Sequence, residues 1–215
     1  MIFRFASPAW LRLFVAAALA AVLAAPAAGK AGDKPPPKTR SVQVLTRAPD
    51  KTRWNLTVQN PTRRVFVCKP LVCPDPETVS FNFQKGSLVE PTQQALEKFA
   101  NVDLPKSMRA IAAAQSVLTG GAETIETLNS TVTTLKSYPS VLNETKFSRG
   151  PDAVYVEVAI IFAGPVIIKM ESRSRNRDLA QKSLNQFIDA MQVNDVLAPP
   201  PGSLPTSRPS KSQNI

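Results

Sequence analysis

The one local motif with chemistry of its own is Cys68-Lys69-Pro70-Leu71-Val72-Cys73, which holds both cysteines of the chain. Thiols at this spacing could close a structural disulfide, act as a redox pair, or hold a soft metal ion. Thioredoxin-type redox chemistry uses C-x-x-C at a helix start, whereas Cys68 here follows the strand-like run Arg64-Val65-Phe66-Val67. Lys69 beside Cys68 would favour a thiolate, so a thiol-redox protein using Cys68 and Cys73 stays as an alternative. Two thiolates alone do not complete a metal tetrahedron, and neither a metal nor another cofactor is expected. The pattern predicts a structural disulfide fixing the connection between two strands, with Pro70, Pro74 and Pro76 stiffening the loop.

Other chemistry is bounded by what is missing. The chain has no histidine. Ser-His-Asp and Cys-His nucleophile systems are therefore excluded, and with them most imidazole metal sites. The acids are scattered: Asp50, Asp75, Glu77, Glu123, Glu126, Asp152 and Asp189 show no convergent pair. No phosphate-cradling glycine loop is present, and Gly120-Gly121 reads as a helix stop. No catalytic residue is assigned, and the chain is not expected to be an enzyme. Arg173, Arg175 and Arg177 alternate, which on an extended chain would set all three on one side. They form a candidate rim for an anion or an acidic partner; Arg63-Arg64 is a second, smaller basic spot.

These residues need elements to hold them. Trp54, Leu56 and Val58 alternate with polar neighbours as a half-buried strand does, Asn60-Pro61 turns the chain, and Arg64–Cys68 reads as a second strand. Residues 78–84 alternate again through Val79, Phe81 and Phe83. Helix follows, with Pro91 at a first helical position and Ala95, Leu96, Phe99 and Val102 on one face. Leu104-Pro105 restarts the chain before an alanine-rich helix from Met108 to Leu118. The β-branched residues 123–136 suggest a strand and Tyr138-Pro139 a turn. Three strands succeed it, at 141–147, 153–162 and 166–172, joined tightly at Gly150-Pro151 and Gly164-Pro165. The last two are apolar on both faces and belong at the sheet's centre. Asn176 caps a final helix running to about Val193. The fold class is α+β: an antiparallel sheet with flanking helices and a C-terminal helix packed on it.

Around this domain, residues 41–195, lie three segments of other character. Residues 1–27 combine Arg4 and Arg12, an uncharged run from Leu13 to Ala28, and an Ala25-Pro26-Ala27 exit, as a secretory signal peptide does. Much of the apolar run is alanine, and at roughly 24 Å of helix it is short for a bilayer. Cleavage is expected, with an uncleaved anchor as the alternative. Residues 28–40 are a Pro/Lys-rich linker containing Pro35-Pro36-Pro37, and 196–215 a Pro-rich tail of disordered composition. The formal charge of +10 sits largely in these segments, so it does not mark a nucleic-acid domain. The reading is a periplasmic or secreted bacterial binding and accessory domain whose partner is an envelope protein or an acidic glycan. A binder of an apolar small molecule between the alanine-rich helix and the sheet is a further alternative.

From about Val79 to Met191 the order of elements resembles the Mog1/PsbP-like fold. The resemblance rests on Ser137-Tyr138-Pro139-Ser140 opening a strand, the long hairpin from Tyr155 to Lys169, and the closing segment from Ser172 to Met191. It implies a binding or assembly accessory, and carries over no site residue.

Overall fold

A computed structural model of the chain describes residues 40–119 and 124–197. The expected signal peptide, most of the expected linker and tail, and Gly120-Gly121 lie outside the described residues.

Alternation of apolar and polar side chains produces most of the strands. A seven-stranded antiparallel sheet is built from β2 (Trp54–Asn60), β3 (Arg63–Cys68), β4 (Thr78–Lys85), β5 (Thr124–Leu135), β6 (Tyr138–Arg149), β7 (Asp152–Ala163) and β8 (Val166–Ser174). Their spatial order is β2-β3-β4-β8-β7-β6-β5. The expected α+β architecture is therefore present, with β8 and β7 in the interior of the sheet. Gly150 and Gly164 open the two hairpins with φ of 59° and 60°, values that favour glycine, and a proline follows each.

Both sheet faces are covered, which is why Val158–Ala163 of β7 and Val166–Ile168 of β8 are apolar on both sides. One face packs helix α3 (Arg177–Ala190). Asn176 caps it by accepting from the Leu179 N–H, and Ala180, Leu184, Phe187 and Ile188 turn inward. Phe187 sits among Trp54, Phe66 and Phe81, with ring centroids 5.0, 4.9 and 5.9 Å away. The other face packs Leu96, Ala100, Leu104 and Met108 against Val156, Val158, Ile160 and Ile167.

That second layer departs from the expected pair of helices. Thr92 caps α1 (Gln93–Lys98) by accepting from the Ala95 N–H, so Pro91 precedes the cap instead of taking the first helical position. The chain then passes through a π-helical turn, Phe99–Asp103, straight into α2 (Leu104–Thr119). Pro105 explains this. The Leu104 N–H reaches back to the Phe99 carbonyl, and Pro105 has no N–H to give to the next carbonyl, that of Ala100. Ser130 of β5 donates to it instead, at 3.0 Å.

Two further differences concern strands. Lys136 and Ser137 make the tight β5–β6 turn with φ of 51° and 69°, and Tyr138-Pro139 opens β6 rather than turning the chain. A separate two-stranded ribbon pairs β1 (Arg40–Leu45) with β9 (Gln192–Leu197). Neither strand was expected, and the last helix ends before β9 instead of running to Val193. The ribbon reaches Arg40 and Leu197, just past both ends of the anticipated domain. Val42, Val44 and Val193 pack on the α3-side core, and the Tyr138 hydroxyl donates to Asp195 at 3.0 Å.

Candidate functional site

Cys68 and Cys73 are joined, with Cα atoms 6.0 Å apart, and both are buried. The loop closes tightly because the Val72 and Cys73 N–H groups both donate to the Lys69 carbonyl. Leu71 at its tip is fully exposed. Beside the disulfide lies Glu77, 2 % exposed, which accepts from Arg53 Nη2 and Ser183 Oγ at 2.8 Å each. The Glu77 carboxylate lies within 4.8 Å of both sulfurs. This trio is not a metal centre as it stands, because the bond consumes both sulfurs and two donors hold the carboxylate. Neither sulfur sits at a helix start or at the surface, as an attacking thiol would.

The three arginines do not share a face. Arg173 lies on the α2 side of β8, in a row with Lys169 and Glu171, and its Nε donates to Glu171. Lys169 Nζ approaches the other Glu171 oxygen at 3.2 Å. Burial by itself would raise the Glu171 carboxyl. The neighbouring Arg173 and Lys169 charges and their hydrogen bonds outweigh it and hold the group at about 2. Arg177, at the first position of α3, reaches over the opposite face to Glu144, with Nη2 to Oε2 at 2.7 Å and Nε on Oε1. Its own pKa is raised by the Glu144 hydrogen bond and charge. Arg175 is exposed between the two. Arg173 and Arg177 are thus each engaged by a carboxylate, and the three are not a single clamp.

The geometry assembles a pair that the scattered acids of the sequence did not suggest. Glu144 of β6 and Glu157 of β7 are direct register partners, 6 % and 7 % exposed. They belong to one row across the whole sheet: Asn129, Glu144, Glu157, Ser172, Val79, Phe66 and Leu56. A β-bulge interrupts the register at both outer members of that row, beside Leu56 and beside Asn129. Burial and the Glu144 charge raise Glu157 to about 7 against the opposing pull of Arg177. Ser172 Oγ, buried beside it, has no hydrogen-bond partner.

Between α2 and the sheet is a cavity of about 40 Å³, lined by Leu104, Met108, Phe147, Val158, Lys169 and Arg173 among others. A buried water needs roughly 10–15 Å³ by this measure, while the benzene-sized apolar cavities known to bind ligands are on the order of 150 Å³. The space suits a few waters rather than an apolar small molecule.

The outermost strand β5 is the other conspicuous feature. It runs for 12 residues without one fully buried side chain, and among the described residues only β6 pairs with it. Beyond its bulge, Ser130-Thr131-Val132-Thr133-Thr134-Leu135 is uncharged and rich in β-branched residues.

No family model matches the chain, and no curated protein matches it. Among solved structures it is similar to cyanobacterial PsbP from Synechocystis, at 12 % identity, over 76 % of this chain and 98 % of that one, with a TM-score of 0.46. It is also similar to LpqN of Mycobacterium tuberculosis, a protein described as involved in cell envelope biogenesis, at 10 % identity, over 74 % and 86 % of the two chains, with a TM-score of 0.43. A PsbP is thus among the similar structures, as the resemblance in the sequence implied. Likeness at this level assigns no function.

Proposed function

We propose that this chain is an exported, non-catalytic binding domain that accepts an extended segment of a cell-envelope protein as an added strand along β5. The carrying observation is the edge of β5, which no other strand among the described residues pairs. An edge strand offers alternate backbone N–H and C=O groups to any chain that aligns with it, and proteins usually blunt long edges with lysine, proline or a covering element. Thr124–Leu135 contains neither lysine nor proline, and its one charge is Glu126. Export is supported by the composition of residues 1–27, and an oxidising compartment by the closed Cys68–Cys73 bond. The non-catalytic reading is supported by the lack of histidine and by the burial of Glu144 and Glu157 beneath the start of α3.

The test is site-specific crosslinking from Thr131 in the native envelope, compared with the same probe at Arg175. The expected result is one discrete envelope protein crosslinked from Thr131 alone and lost when Thr134→Lys is added, a variant whose thermal midpoint stays that of the wild type. Crosslinking from Arg175 alone, or to glycan instead of protein, would move the working surface to the arginine side. No adduct at either position would end the binding proposal.

A further inference from the structure

Two buried acids placed face to face with one guanidinium between them and solvent carry a consequence separate from the β5 edge. We propose that Glu157, buried face to face with Glu144, keeps a proton in the folded chain, and that its release makes the stability of the fold pH-sensitive. Direct register partners in an antiparallel pair have Cβ atoms about 4.5–5.5 Å apart, so the two carboxyl groups cannot avoid each other. Arg177 gives both of its contacts to Glu144. Glu157 has the Ser172 hydroxyl as its register partner on β8, and that hydroxyl, fully buried, has no hydrogen-bond partner.

The charged and titratable groups on this side of the sheet account for the balance. β6 contributes Glu144 and Lys146, β7 contributes Tyr155, the register partner of Lys146, and α3 contributes Arg177 and Asp178, while Glu77 ahead of β4 is paired with Arg53 and bonded to Ser183 further along α3. From β8 come only Ser172 and Ser174. Lys146 and Tyr155 are one pair further toward the hairpin end, and Asp178 adds negative charge. One guanidinium therefore faces two carboxyl groups. A protonated Glu157 removes one negative charge and supplies an O–H that can donate to Glu144 or Ser172. As pH rises, this proton passes to solvent and two carboxylates face each other below Arg177.

The sign follows from linkage. The folded state holds a proton that the free side chain releases near 4.5 and the native site near 7. The contribution is complete below 4.5 and is lost as pH rises through 7. In this window the unfolding equilibrium constant should grow by up to about tenfold per pH unit.

The test uses the intact chain. A carbon-detected NMR titration of the glutamate carboxyls should show one group titrating near 7, absent in Glu157→Gln and moved downward in Glu144→Gln. The thermal midpoint of the wild type should fall between pH 5 and pH 8, while that of Glu157→Gln falls less. Should the variants not fold, the wild-type titration decides alone. Every glutamate titrating below about 5.5, or equal declines in wild type and Glu157→Gln, would overturn the proposal.

Discussion

Ser183 of α3 donates a 2.8 Å hydrogen bond to Glu77, 106 residues earlier in the chain. The same carboxylate takes Arg53 from the approach to β2. A single buried acid beside the disulfide thus joins the β3–β4 loop, the start of β2 and the last helix. Glu77→Ala would leave a guanidinium and a buried hydroxyl without their acceptor, at a cost of about 2–3 kcal/mol. Glu77→Gln keeps an acceptor oxygen and should lose less. Urea unfolding of the three proteins checks the order.

Cys68→Ser/Cys73→Ser removes a short covalent loop. By chain entropy this should lower stability by about 2 kcal/mol. The variant should stay folded and keep its crosslink from Thr131. A redox protein would instead keep its stability and lose its activity. Intact mass after alkylation without reduction should show no added group on the wild type.

On the α2 side, Glu171 sits well below the ordinary carboxylate range, at about 2. Its contribution is present above 4.5 and is lost as pH falls through 2, opposite in sense to that of Glu157. Glu171→Gln should therefore show a shallower loss of stability than the wild type on acidification between these values. Arg173→Ala should lower stability at neutral pH, and its acid-dependent loss should be smaller and end at higher pH. Fluorescence-monitored acid unfolding distinguishes the three.

Gly86 packs against the β7–β8 turn. A Cβ added there would lie 2.1 Å from the Gly164 carbonyl oxygen and 3.0 Å from the Val166 nitrogen, both backbone atoms. The Gly86 N–H also donates to the Pro165 carbonyl. Gly86→Ala should cost about 1–3 kcal/mol by overpacking. Gly164→Ala meets no neighbour but must hold φ of 60°, at about 1–2 kcal/mol. Thermal unfolding of both variants tests whether contact or backbone conformation dominates.

Much of the sheet was legible because its signals are local. Alternation through Val79, Phe81 and Phe83 marked β4, and Gly150-Pro151 and Gly164-Pro165 marked two hairpins. The β1–β9 ribbon was not legible: Gln192–Leu197 follows a helical stripe without a break in composition, and its partner lies at the other end of the sequence. The π turn escaped because Pro105 reads as a helix boundary unless a distant serine is known to serve the freed carbonyl. The Glu144–Glu157 pair could have been found. The two acids are equidistant from Gly150-Pro151, so a two-residue hairpin turn places them opposite one another. The arginine rim failed as a single surface because Arg177 lies beyond the strand, where two-residue alternation no longer sets direction.

Arg40 and Leu197 are paired across the β1–β9 ribbon, so the chain enters and leaves the described domain at one pole. A reporter attached on either side would be delivered to the same place. A brief linker joining these positions, with new ends opened at the exposed Leu88–Val89 loop, should give a circular permutant with every strand pairing kept. The order of folding events along the chain would change, while the architecture would not.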